Sequence, residues 1–296
     1  MVIHAESISP RSVVVATDGS DDADRAVRCA AEQAFLQRRP LAVLTAVGAA
    51  EVPAIAWGGM AAAYTYQPHE LLEHARAVAN EALGVVRHQH AGLEAQAVAV
   101  LGDPRQVLVD LSREVHLLVL GSRGRGVFRS KVLGSVSAAV SRDADCPVLV
   151  CRPHPRGARP GHGVLLGADG TPESLPVIEF AFEQASLLGL PLTAVHCLTE
   201  EAGSEEHRRL LAESLAGMAA KYPEVVVEQR LVRGLAEEAL STGTDEWDLV
   251  VVGRHPVDTV LRLVTAAVAT TVVERARTTV AVVPQAETPE PSTRES

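Results

Sequence analysis

Short apolar runs alternate with segments of helical period along the chain. Residues 12–17 are a Val-rich run closed by Asp18-Gly19-Ser20, the pattern of a strand ending in a turn. Ser20 suits a helix N-cap, and Asp21 and Asp22 complement the positive end of a helix dipole. Ala23, Ala26, Val27, Ala30 and Ala34 keep helical spacing to about residue 37, and Pro40 punctuates. Residues 41–47 read as a second strand and 95–101 as a third, with a helix over about 69–89 between them. A short helix over about 105–114 leads to a fourth strand at 116–120. A glycine-rich stretch, 121–137, follows, and a helix over about 135–142 leaves from it. Residues 147–151 form the fifth strand. Strands alternating with helices in this way predict a doubly wound, mostly parallel sheet.

The second half repeats the pattern. Residues 164–170 echo 13–19, with Asp169 matching Asp18; 192–197 echo the second strand; 249–253 echo 117–121; and 280–282 echo 148–150. The aspartates lie 151 residues apart (169 − 18), whereas Gly121 and Gly253 lie 132 apart (253 − 121). The mismatch places an insertion in the first half, most simply within the Ala/Gly/Pro-rich segment 48–68. The chain therefore reads as two tandem five-stranded α/β sheets. The expected domains are 12–152 and 163–285, joined by a Pro/Gly/Arg linker, with a disordered lead-in at 1–11 and a disordered polar tail over 286–296. The fifth strands, 148–150 and 280–282, are short apolar edges through which the halves are expected to associate as an internal pseudo-dimer; dimerisation of the whole chain is left open.

Composition narrows the function. Hydrophobic residues make up 47% of the 296 positions but aromatics only 3%, so the cores must be built from Val, Leu and Ala. A net charge of −10 argues against a general nucleic-acid or anionic-membrane binder. It also makes the basic loop holding Arg123, Arg125, Arg129 and Lys131 a local exception. Cys29, Cys146, Cys151 and Cys197 lack metal or CxxC spacing and read as small buried hydrophobes in a reducing compartment. No signal peptide or membrane span is visible, so a cytoplasmic location is expected. His88 and His90 do not have the spacing of a metal site, and no metal ligands are assigned. Trp57, Met60, Tyr64 and Tyr66 cluster in the insertion, either as packing for a longer segment or as a lid or partner surface.

The candidate chemistry lies in 121–137. Neither a P-loop nor a GxGxxG on the first strand is present. What stands there is Gly121-x2-Gly124-x9-Gly134-Ser135. Gly121 and Gly124 let the backbone turn and approach a ligand where a Cβ would interfere. Gly134 and Ser135 open a helix whose free N–H groups suit phosphates, and Ser135 and Ser137 add hydroxyls.

With Asp18 after the first strand, this pattern resembles the universal stress protein family, in its tandem two-domain form and ATP-binding subgroup, over nearly the whole chain. The resemblance implies a Rossmann-like fold and ATP bound with Mg²⁺ held through its phosphates. It implies that Asp18 bonds the ribose, that Val47 contacts adenine through its backbone, and that Gly121 lies by the ribose. It implies that Gly124, Gly134, Ser135, Val136 and Ser137 hold the phosphates. It further implies a regulator of the stress response rather than a fast enzyme, with a protein target that the sequence does not name. For Asp18 the plainer reading is a turn-former. A slow ATPase or phosphotransferase and a non-nucleotide dimerisation scaffold are the alternatives. No catalytic residue is assigned, because the loop holds no Glu, Asp or His to act as a general base. The second copy departs from the pattern: Pro256 stands where Gly124 does, and Ala266-Ala267 replace Gly134-Ser135. Pro lacks an N–H donor, so the second half is expected to bind nucleotide weakly or not at all.

Overall fold

The structure is a computed structural model that describes residues 8–48, 68–124, 133–153, 161–198, 204–254 and 262–286. The insertion cluster Trp57, Met60, Tyr64 and Tyr66, the basic residues Arg125, Arg129 and Lys131, Pro256, and the tail after residue 286 lie outside the described residues. The chain divides into two compact units, 1–153 and 154–296.

In the first unit the elements are β1 (Val13–Ala16), α1 (Asp21–Leu36), β2 (Leu41–Val47), α2 (Pro68–Gln89), β3 (Ala95–Leu101), α3 (Pro104–Leu111), β4 (Leu117–Gly121), α4 (Ser135–Asp143) and β5 (Val148–Cys151). Strand order is β3-β2-β1-β4-β5, parallel throughout. Val13, Val14 and Val15 have no exposed surface, and neither do Leu117, Leu118 and Val119 beside them. These central strands are buried on both faces, which is why they read as unbroken apolar runs. The α1 stripe of Ala23, Ala26, Val27, Ala30 and Ala34 is buried as its spacing predicted. Small residues at these positions bring the helix close to the sheet. The third helix is shorter than expected. Asp103 caps its start, and the Ser112 hydroxyl donates to the Val109 carbonyl at 2.6 Å as it ends.

The second unit contains β6 (Val164–Gly167), α5 (Leu175–Leu188), β7 (Leu192–Leu198), α6 (Ser204–Lys221), β8 (Val227–Arg233), α7 (Ala236–Ser241), β9 (Leu249–Arg254), α8 (Arg262–Arg275) and β10 (Thr279–Pro284). Its order, β10-β9-β6-β7-β8, is the same topology, and the pairs β9–β10, β6–β9, β6–β7 and β7–β8 are all parallel. In each unit the strand order reverses between the first and fourth strands. Connections leaving those two strands diverge to opposite faces and open a crevice at their C-terminal ends.

Candidate functional site in the first unit

The crevice between β1 and β4 is built from two connections. After β1 the chain turns through Gly19 at φ 73°, a conformation that glycine adopts without steric cost. Asp18 Oδ1 accepts the Ser20 N–H at 3.0 Å, and Ser20 in turn caps α1 by accepting from Ala23 N–H at 3.3 Å. Asp18 is thus a turn-former through one oxygen. Its other oxygen is directed at the glycine loop: a Cβ on Gly124 would come within 2.5 Å of Asp18 Oδ2. Only glycine fits there without moving the carboxylate.

After β4 the loop is stitched to the start of α4. The Gly134 N–H donates to the Ser122 carbonyl at 2.8 Å, and the Ser137 hydroxyl donates to the Gly121 carbonyl at 2.6 Å. Gly134 is the N-cap of α4 in extended conformation and offers no side-chain cap. The first N–H groups of α4, on Ser135, Val136 and Ser137, therefore open the helix without a side-chain acceptor from the cap residue. A helix dipole with free N–H donors is an arrangement that suits an anion.

Two of the expected site residues also serve the fold itself. Ser137 is buried, 5% exposed, and its proton is committed to Gly121, so its hydroxyl braces the loop instead of donating into the crevice. Gly121 is required by the fold itself: a Cβ there would lie 2.8 Å from the Asp22 backbone carbonyl and 2.9 Å from the Ala23 nitrogen. Val47 lies one strand away at the end of β2. Its side chain packs against Leu72, Ala75 and Ala99, and its carbonyl already accepts the Gly102 N–H at 2.9 Å.

Two residues that sequence reasoning missed hold the crevice in shape. Asp22, only 7% exposed, accepts from the Ser122 hydroxyl at 2.8 Å and from Arg123 Nε at 3.0 Å, and also pairs with Arg25. A buried carboxylate is tolerable because donors surround it. It ties α1 to the glycine loop and takes up Arg123, one of the loop's basic residues. Acids in a helix first turn look alike in sequence, so nothing marked Asp22 as the buried one. Ser122 sits inside the glycine stretch, and its burial follows only from the β4 register.

The corresponding crevice of the second unit is arranged differently. Asp169 accepts from the Thr171 N–H at 2.9 Å, the Thr171 hydroxyl at 2.7 Å and Gln285 Nε2 at 2.7 Å. Burial alone would push its carboxyl up, but these hydrogen bonds outweigh burial and hold it below the usual carboxylate range. Gln285 is 8% exposed and its amide lies against Gly253, whose missing Cβ would be 2.9 Å from Gln285 Nε2. Gln285 therefore fills space beside the aspartate. At the repeat spacing its counterpart in the first unit is Pro153, which has no amide to offer. At the end of β7, the buried His196 bonds the Ala168 carbonyl through Nδ1 at 2.8 Å and packs against the His207 ring.

A duplicated, doubly wound parallel α/β fold, with a helix start lacking a side-chain cap and an aspartate at the first unit's switch point, defines the structural class. The family model described as "Universal stress protein family" matches residues 10–152 and again 162–284. The chain belongs to the universal stress protein family. A universal stress protein of Mycobacterium tuberculosis strain H37Rv is 32% identical over 296 residues, covering 92% of this chain and 97% of the relative. One from Mycolicibacterium smegmatis is 31% identical over 293 residues, covering 94% and 98%. Among solved structures, a universal stress protein from Archaeoglobus fulgidus superposes with a TM-score of 0.70 at 19% identity, covering 94% of this chain and 99% of that one, a likeness of fold.

Proposed function

We propose that the first unit binds an adenine nucleotide, ATP with Mg²⁺ held through its phosphates, and that the chain acts as a nucleotide-dependent regulator in the cytoplasmic stress response. One observation carries this reading: Gly124 lies so close to Asp18 Oδ2 that a side chain fits only if the carboxylate moves, and the same glycine loop ends at a helix start without a side-chain cap. The missing Cβ lets the loop backbone close on the carboxylate, so a ligand at this point meets carboxylate and backbone together, as a ribose hydroxyl and a phosphate do. Asp18 is the acceptor for the ribose, and the N–H groups of Ser135, Val136 and Ser137 are the donors for phosphate.

The chemistry of the crevice favours binding over turnover. Asp22 is the buried acid at the glycine loop, and it is saturated by Ser122, Arg123 and Arg25. A carboxylate so engaged is a poor base for activating water. Extraction and chromatography of nucleotide from purified protein, followed by calorimetric titration with ATP and Mg²⁺, test the proposal. Copurified adenine nucleotide, or saturable ATP binding lost in Asp18→Ala, supports it. Absence of both removes it. Single-turnover hydrolysis at about 1 s⁻¹ or faster would instead make the chain an enzyme.

A further inference from the structure

β3 is an end strand of the first unit and β8 is its counterpart in the second, so each has a neighbouring strand on one side alone. The Leu41 N–H donates to the Glu94 carbonyl at 2.8 Å, and the Gly102 N–H donates to the Val47 carbonyl at 2.9 Å. Between them Leu41 is in register with Ala95 and Val47 with Leu101. Backbone groups alternate sides along a strand. Gln96, Val98 and Val100 therefore face β2, while Ala95, Ala97, Ala99 and Leu101 direct their N–H and C=O groups outward. Those four residues make no backbone hydrogen bond on the outer side among the described residues.

An open row of donors and acceptors is a template for another strand, and proteins blunt it with charge, proline or a bulge. β8 is blunted by charge: it carries Glu228, Arg230 and Arg233, and Arg230 Nε donates to Glu228 Oε1 at 2.7 Å. β3 has none of these devices. It reads Ala-Gln-Ala-Val-Ala-Val-Leu, without a charge or a proline, and its register with β2 is unbroken. Leu101 at its end is 45% exposed. The same position in the fold is thus guarded in one copy of the repeat and bare in the other.

We propose that β3 pairs antiparallel with β3 of a second copy of this chain, forming a homodimer about a two-fold axis at Val98. Centred there, Ala97 lies opposite Ala99 of the other copy and Ala95 opposite its Leu101. Every outward N–H then meets an outward C=O with none left over. Charge favours a second copy as the occupant. In a chain of net charge −10, two copies approach most easily along an edge that carries no charge. The flanking acids do not meet in this register: Glu94 falls opposite Gly102 and Asp103 opposite Leu93. The exposed Leu101 is covered by the second copy's strand.

Sedimentation equilibrium of the full chain, beside amide exchange, tests the pairing. The expected species has twice the chain mass, and exchange at residues 95, 97, 99 and 101 should slow as protein concentration rises. Ala97→Pro removes one outward N–H and leaves the ladder to β2 whole. It should raise the dimer dissociation constant about ten-fold or more, with an unchanged far-UV circular dichroism spectrum. Ala97→Lys sets two ammonium groups diagonally across the axis and should weaken the dimer through charge. Gln229→Pro, at the matching position of β8 (229 − 97 = 132, the repeat spacing), should leave the dimer intact. A monomer at every concentration, a dimer that survives both Ala97 variants, a dimer lost in Gln229→Pro, or exchange at the four amides that ignores concentration would each overturn the proposal.

Discussion

At the scale of single residues, Gly124 and Asp22 act on opposite sides of one loop. Gly124→Ala places a methyl 2.5 Å from Asp18 Oδ2. The carboxylate can swing aside, so folding should hardly suffer, but it leaves the position proposed for ribose binding. ATP affinity should drop about ten-fold, roughly 1.4 kcal/mol, with an unchanged unfolding midpoint; calorimetric titration beside thermal unfolding measures both. Asp22 should behave the opposite way. Asp22→Ala strands the Ser122 hydroxyl in a site with no exposure and removes the anchor of Arg123. Arg25 and Arg123 are 33% and 43% exposed and keep water as an alternative partner, which limits the loss. A stability loss of about 2 kcal/mol is expected in denaturant unfolding, with Asp22→Asn recovering part of it through its remaining acceptor oxygen.

At the scale of elements, much of the first unit was legible, and the reason is chemical. Unbroken Val and Leu runs mark strands buried on both faces, and the alanine stripe of α1 marks its sheet-facing side. What stayed hidden are contacts between elements far apart in sequence. His116, just before β4, is one such contact: its Nε2 meets Gln37 Oε1 of the α1 C-cap at 2.8 Å. Gln37 Oε1 accepts, so the ring donates from Nε2, and the neutral imidazole satisfies the bond. Burial, followed by the Arg39 charge, lowers the His116 pKa from 6.5 to about 4. The sign follows from linkage. The folded value lies below the unfolded one, so the unfolded chain takes up the proton first as pH falls. Stabilisation by the neutral ring is present above pH 6.5 and is lost progressively down to about pH 4. The loss should amount to about 2–3 kcal/mol across that window. His116→Gln keeps a neutral donor and does not titrate. Its unfolding free energy should fall less steeply between pH 6.5 and 4 than that of the parent, and equal slopes would show that His116 carries no such linkage.

At the scale of the whole molecule, the duplication separates what the fold needs from what a ligand needs. Both units keep the strand order, the aspartate after the first strand and a glycine at the C-terminal end of the fourth, Gly121 as the last residue in one and Gly253 as the last but one in the other. In sequence Asp169 was indistinguishable from Asp18 except through its damaged neighbours, Pro256 and Ala266-Ala267. The structure adds a cause of another kind. Gln285, which no motif marks, reaches back from beyond β10 to donate to Asp169 and lies over Gly253. A ligand hydroxyl seeking Asp169 must first displace that amide, and the buried Gln285 carbonyl oxygen makes no hydrogen bond among the described residues that would guide its departure. The proposed nucleotide binding should therefore be confined to the first unit, with a stoichiometry of one ATP per chain. Asp18→Ala should abolish the calorimetric signal, whereas Asp169→Ala should leave affinity and stoichiometry unchanged and lower stability by roughly 1–2 kcal/mol, because Thr171 and Gln285 lose a shared acceptor. Gln285→Pro reproduces the first unit's Pro153 and clears the aspartate. If Gln285 alone closes the second crevice, that variant should bind a second ATP; if the loss of the loop glycine and serine suffices, stoichiometry stays at one. The altered residues at 256, 266 and 267 remove a donor and a hydroxyl regardless of Gln285, so one is the expected result.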